Sequence, residues 1–284
     1  MPDPDAFVDS YSNLIPALIL ISLIVWETVG PCFRYFVRRP GKRVRHGVIN
    51  IGFGIINAIV IGVLFVTAWE AAAKWSLDAN FGILRWTSLP PWIEGLAAVL
   101  VFDVFTYWWH RFNHTIPFLW RFHRVHHSDA EMDVTTANRF HFGEIVMSSV
   151  LRVPLIFLLG ADLWMLAFYE LLMFPVVQFH HANIRLPDPL EKGFRAVFTS
   201  PVMHKIHHSD YVKETNSNYT SFFSFWDRIF GTYRMREDFE LIELGLKEFR
   251  APEDAQFFGM LKIPFRNVKP ASSGDDCKGT GTEL

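Results

Sequence analysis

Residues Asp103–His127 read DVFTYWWHRFNHTIPFLWRFHRVHH, an apolar, aromatic run that breaks into histidines where it ends. Asp103, Tyr107, His110 and His114 are spaced four, three and four apart, which puts them on one stripe of a helix. A second box follows at His123, His126 and His127, and a third, His204-Lys-Ile-His207-His208, lies downstream. Residues three and four apart share a helical face, so each box is expected to aim its rings at a single point. Imidazole titrates near neutrality and is the commonest nitrogen ligand for zinc, iron and copper. Three boxes in one chain predict a metal-binding protein that holds two ions.

The surrounding sequence says where such a site sits. Of the 284 residues, 50% are hydrophobic, 16% aromatic and only 20% charged, with a net charge of −2. No basic field points toward nucleic acid. The apolar residues gather near 13–31, 48–69, 92–110, 144–159 and 162–180, close to the roughly 20 helical residues that cross a bilayer. The first run follows Asp3, Asp5 and Asp9 and precedes Arg34, Arg38, Arg39, Lys42, Arg43 and Arg45. It therefore reads as a retained anchor whose C-terminal end faces the cytoplasm. The second run returns outward, the 70–91 segment lies outside, and the third delivers His110 to the cytoplasmic end. Residues 144–180, broken at Gly160-Ala161-Asp162, read as a hairpin that dips in and returns, so all three boxes come out on one side.

The fold class expected is an all-α integral membrane protein. About four to five membrane-embedded helices carry a cytoplasmic helical cap that holds a histidine-rich dinuclear metal site. Residues 1–90 form the anchor helices, 91–240 the catalytic domain and 241–284 an extension with a disordered tail. The location implied is a bacterial inner membrane, multi-pass. Cys32 and Cys277 give no disulfide framework and no cysteine metal site.

Several further residues receive roles at this stage. Asp103 and Tyr107 are candidate supports of the site, with Asp103 orienting a ring nitrogen. Either His180 or His181, at the end of the fifth run, is a plausible ninth ligand. His141, in Asn138-Arg-Phe-His-Phe-Gly-Glu144, is a candidate ligand or structural donor. His46 needs no role beyond solvation. The aspartates that trail the second and third boxes, Asp129 and Asp210, are read as caps of their turns. Trp108, Trp109, Trp120, Phe122 and Phe140 stand beside the boxes, as interfacial anchors or as the lining of an entry to the site.

The ordered set of DVFTYWWHRFNH, HRVHH, MDVTTANRFHFGE, FHHANIRLPDPLEK and SPVMHKIHHSDYVKETNSNYTSFFSFWDRIFGTYR resembles the fatty acid hydroxylase/sterol desaturase superfamily of membrane non-haem di-iron enzymes. The resemblance covers roughly residues 95–235. It implies that His110, His114, His123, His126, His127, His204, His207 and His208 ligate the metals and adds His181, with His180 as a neighbour. His141-Phe-Gly departs from the pattern, since relatives commonly carry proline after that histidine.

The resemblance further implies two iron ions (zinc being possible in isolated protein) and O2 as co-substrate. The reaction implied is O2-dependent hydroxylation of an unactivated C–H bond of a membrane lipid, whether sterol, fatty acyl or ether lipid. The same cage serves a desaturase, and a non-redox membrane protein holding zinc is the alternative of another class. The chain shows no haem extension, flavin fingerprint or cysteine cluster to carry electrons. An external cytoplasmic donor of reductase, ferredoxin or cytochrome type is therefore expected, with Arg121, Arg124, Lys205 and Lys213 as candidate docking charges.

Overall fold

Proline and glycine punctuation sets the helix boundaries in the computed structural model, which describes residues 14–268. Helix α1 spans Leu14–Val29, α2 Pro40–Leu64, α3 Val66–Asp78 and α4 Pro91–Thr115. Helix α5 spans Pro117–His127, α6 Phe142–Leu159 and α7 Leu163–His181. The shorter α8 (Asp188–Val197), α9 (Pro201–His207), α10 (Val212–Thr215), α11 (Phe225–Ile229) and α12 (Phe257–Lys262) follow. Among the described residues there are two isolated β-bridges and no strand.

Four of these helices, α2, α4, α6 and α7, are long and apolar enough to cross a membrane. Their exposed faces carry Ile55, Ile59, Leu96, Leu100, Val150 and Leu158, as a lipid-facing surface requires. Their inner faces join α3 around Trp69, Phe102, Ile156, Met165 and Tyr169.

Two boundaries differ from the sequence reading. The second run begins at Pro40 and ends at Leu64, because the chain breaks at Phe65. Residues 66–78, expected to end the second run at 69 and then to enter an external connection, are instead helix α3 packed on α6. Its small Ala72 and Ala73 are buried beside Trp69, a pattern too short to register as a span. The hairpin break falls where expected: α6 stops at Gly160, whose φ of +73° is the left-handed conformation that glycine adopts without strain. Gly82 packs against it, and a Cβ at Gly82 would lie 2.4 Å from the Gly160 Cα.

The four long helices bring the same-side ends to one place: the start of α2, the end of α4, the start of α6 and the end of α7. Residues 116–141 and 182–268 form a layer across those ends, whereas α3 and the 79–90 connection pack at the opposite end, where the Ile83 amide donates to the Leu158 carbonyl at 3.0 Å. Glu27 ties α1 into that layer. Its carboxylate accepts from Arg43 (2.7 Å), from the Val134 amide (3.0 Å) and from the Asn183 amide (2.9 Å). Replacing this buried acceptor with alanine strands one guanidinium and two amides, so Glu27→Ala is expected to cost about 3 kcal/mol. Thermal unfolding in detergent would show it, and an unchanged midpoint would refute the structural role.

The C-terminal stretch folds back onto the second box. Arg124 donates to the carbonyls of Ile263 (2.5 Å) and Arg266 (2.7 Å), and the Phe257 ring meets Phe53 at 4.9 Å. Cys277, Asp3, Asp5, Asp9 and the tail expected to be disordered lie outside the described residues.

Candidate metal centre

Helix α4 ends at Thr115 because Ile116 precedes proline and is pushed to extended backbone (φ −97°, ψ 113°). Pro117 then opens α5 at its first turn, where a missing N–H costs nothing. This one-residue break turns the second histidine box back toward the first. The third box is started in a similar way. Ser200 caps α9 by accepting from the Met203 amide at 3.2 Å, and Pro201 follows at the first helical position.

The histidines converge into two groups. His110, His114, His123, His127 and His207 form one, and His126, His181, His204 and His208 the other. Within each group one ring nitrogen per residue lies within 4.8 Å of all the others. All nine histidines expected from the sequence fall in these groups. The first box keeps the single focus expected of it, whereas the second and third boxes are each divided between the groups. On a helix, positions i and i+4 are separated by about 40°, while i+3 falls about 60° to the other side. His123 and His127 therefore serve the five-histidine group, and His126 between them serves the other. In α9 the assignment is exchanged: His204 and His208 turn to the four-histidine group and His207 to the five. The two HxxHH turns face each other and interleave.

Ring orientation is fixed from behind. The Nδ1 of His110 meets the Tyr219 carbonyl at 2.6 Å, that of His207 the Ser217 carbonyl at 2.7 Å, and that of His181 the Val177 carbonyl at 2.7 Å. Nδ1 of His123 meets Glu144 Oε1 at 2.9 Å. A carbonyl accepts only from a protonated nitrogen, so Nε2 of His110, His181 and His207 carries a bare lone pair into the site. Those lone pairs face each other: Nε2 atoms of His126 and His181, and of His181 and His204, are 3.1 Å apart, and those of His110 and His207 are 3.0 Å apart. In addition, both nitrogens of His114 and His127 and Nε2 of His123 are buried without a hydrogen-bond partner. Buried polar atoms are normally paired. Such an excess of convergent acceptors is what a pair of cations would satisfy, so the residues fit the metals that the sequence implied.

Burial also keeps the rings neutral. It holds His126, His127, His204 and His208 well below the ordinary imidazole range, and repulsion from neighbouring rings acts in the same direction. His207 is pushed down to about 3, chiefly by burial. Neutral imidazole is the form that binds metal.

Other expected roles fall differently. Asp103 touches no histidine: it accepts from the indole Nε1 of Trp226 (2.8 Å), from Tyr169 Oη (3.1 Å) and from the Phe223 amide (3.2 Å). It thereby anchors the 223–226 turn against α4. Tyr107 bonds Thr232 Oγ1 at 2.8 Å and stacks on Phe230, one layer behind Tyr219. His141 caps α6 by accepting from the Gly143 amide at 3.0 Å and stands outside both groups. His180 also stands outside them, with its ring 3.9 Å from that of His204.

Of the trailing aspartates, Asp129 closes its turn by accepting from the Glu131 amide at 3.1 Å, and Asp210 does not. Asp129 is held by His46 (2.9 Å) and Thr136 (2.7 Å), and Asp210 faces Lys247 and Arg250 at 3.7 Å. His46, expected to be merely solvated, thus lies on α2 and braces the second box. Arg124 and Lys205 are buried, so they cannot serve as docking charges. The Lys205 ammonium donates to the Ala182 carbonyl at 2.5 Å, and burial lowers it to about 8. Arg121 and Lys213 are exposed.

A cavity of about 570 Å³ opens from the histidines between α2, α4, α6 and α7. Of the aromatics expected along a lipid's path, Trp109 and Phe140 line it, and Phe140 stacks on His126 at 4.2 Å. Trp120 lies instead against His114 and His127.

The profile of the fatty acid hydroxylase family matches residues 95–232. The chain is 27% identical to an ornithine lipid hydroxylase of Rhizobium tropici, over 78% of this chain and 66% of that protein. It is 30% identical to an alkylglycerol monooxygenase of Danio rerio, over 70% of this chain and 43% of that one. A human cholesterol 25-hydroxylase is 28% identical over 49% of this chain and 50% of its own. The chain thus spans about two thirds or less of the length of these relatives. No solved structure matches it.

Proposed function

The chain belongs to the fatty acid hydroxylase superfamily, and on that premise we propose that it is an O2-dependent hydroxylase of a membrane lipid with iron in both histidine groups. The observation that carries the reading is the convergence of nine imidazoles, eight of them on buried residues, into two adjoining groups at the end of a lipid-sized cavity. In the overall reaction one atom of O2 enters a C–H bond and the other leaves as water, consuming two electrons and two protons. Two irons would supply O2 activation. His110, His114, His123, His127 and His207 would hold one, and His126, His181, His204 and His208 the other.

The chain's own part is positioning and exclusion. Carbonyls and Glu144 lock the rings behind the site, and the cavity walls, with Trp109 and Phe140, offer one carbon of an apolar chain while keeping water out. Pocket volumes of roughly 300–1,000 Å³ suit small ligands, and the cavity falls in that range. The electrons come from an external donor, for which Arg121 and Lys213 remain as surface charges. The boxes face the cytoplasm, as the basic 34–45 segment argues.

Metal content of protein purified without air tests this. About two irons per chain, with product that depends on both reductant and O2, are expected. Zinc retained without redox activity in iron-replete cells would overturn the reading. A narrower prediction concerns Glu144. Glu144→Gln leaves His123 with a weaker partner and is expected to lower iron affinity about 10- to 100-fold, read by chelator competition. An unaltered competition curve would remove Glu144 from the support of the site.

A further inference from the structure

Arg152 on α6 and Glu170 on α7 form an ion pair on helices that can cross the membrane, and both residues line the cavity that reaches the histidines. Charged residues at membrane depth are costly and persist for function. Nothing in the metal centre uses this pair. It lies eight residues along α6 from Glu144 and eleven along α7 from His181, roughly 12–17 Å from the histidine cluster at about 1.5 Å of rise per residue.

The guanidinium rests over the Trp69 ring at 5.4 Å, and among the described residues a single hydrogen bond, to Glu170, engages it. Donors on Arg152 and an oxygen of Glu170 are therefore available on a wall that is otherwise largely apolar. Because the two charges cancel, a neutral group that both accepts and donates suits them better than an ion.

From this placement we infer that the Arg152–Glu170 pair is a second recognition point, which binds a hydroxyl of the lipid and so sets which carbon lies at the metals. The hydroxyl oxygen accepts from Arg152 and its O–H donates a hydrogen bond to Glu170. An extended carbon chain advances about 1.2 Å per bond, so the oxidised carbon lies roughly ten to fourteen bonds from that hydroxyl. The inference rests on the hydroxylase reading for its chemistry, but its binding part does not require metal.

The test uses metal-free and iron-loaded full-length protein in micelles of one composition, with hexadecan-1-ol and hexadecane as probes. Against labelled hexadecane on metal-free protein, hexadecan-1-ol is expected to compete at least about tenfold better than unlabelled hexadecane. The double variant Arg152→Met, Glu170→Met removes both charges together and so strands neither. It is expected to erase that preference while keeping hexadecane binding. Equal competition on the wild-type protein, which needs no variant to fold, would overturn the anchor, as would a preference that survives in the double variant.

With iron-loaded protein, donor and O2, oxygen is expected ten to fourteen bonds from the hydroxyl in the wild type and at scattered positions in the variant. Scattered positions in the wild type also refute the anchor. An intact alcohol preference in a protein that never oxidises any lipid would instead sink the hydroxylase reading alone.

Discussion

His126→Ala is expected to lower the metal content from about two ions per chain to about one and to reduce lipid oxidation by two orders of magnitude or more. His126 is the single residue that α5 gives to the four-histidine group, and its Nε2 lies 3.1 Å from that of His181. Without it that group keeps three imidazoles, while the five-histidine group keeps every member. Loss of partners that merely support a ligand costs 10- to 100-fold in activity or affinity, so loss of a ligand itself is expected to exceed that. The ring stacks on Phe140 and bears no backbone bond, so the helical fold persists, as circular dichroism would report. His207→Ala is the reciprocal case: it leaves four imidazoles in the other group and is expected to lower the metal held there. Unchanged metal content in either variant refutes the division of ligands described above.

The second large effect is acid lability once metal is removed. His126, His127, His204, His207 and His208 have folded-state values below the ordinary value near 6.5, and His207 reaches about 3. Between those limits the unfolded chain binds more protons than the folded one. Their contribution to stability is therefore fully present above about pH 6.5 and is lost as pH falls toward the folded values. Each unit is worth about 1.4 kcal/mol per group, so at pH 5 one such histidine forfeits about 2 kcal/mol and the cluster several. Chelator-stripped protein is expected to melt far lower at pH 5 than at pH 7.5, with a slope equivalent to more than one proton. Protein loaded with metal should hold its midpoint to lower pH, because occupied nitrogens cannot protonate. A flat profile for the stripped protein between pH 7.5 and 5 would contradict the buried, neutral state of the rings.

The histidines were legible because their spacing within each box is local and periodic. The spans were legible because apolar length is read directly, and the even number of crossings between the second and third boxes then brought them together. What stayed hidden was pairing across distance. Nothing in the sequence around His46 announces Asp129, 83 residues away, and nothing around Glu27 announces the amides of Val134 and Asn183. Glu144 was visible only as part of a motif, not as the partner of His123. The basic residues within the boxes misled for a related reason: Arg124 and Lys205 read as surface charge, yet each is buried and spent on backbone carbonyls. Helix α3 was missed because an amphipathic helix of 13 residues looks like a connection when only spans are sought.

The interleaving of the two HxxHH turns also bears on how this chain can vary in length. One residue inserted between His123 and His126 would rotate everything after it by about 100°. His126 would leave one group and His127 the other in the same event, and the same holds between His204 and His207. A substitution in these turns removes one ligand from one group, whereas an insertion or deletion disables both at once. The two five-residue boxes are therefore fixed in length more strictly than in composition, since a changed side chain costs its own contacts whereas a changed count moves ligands of both groups.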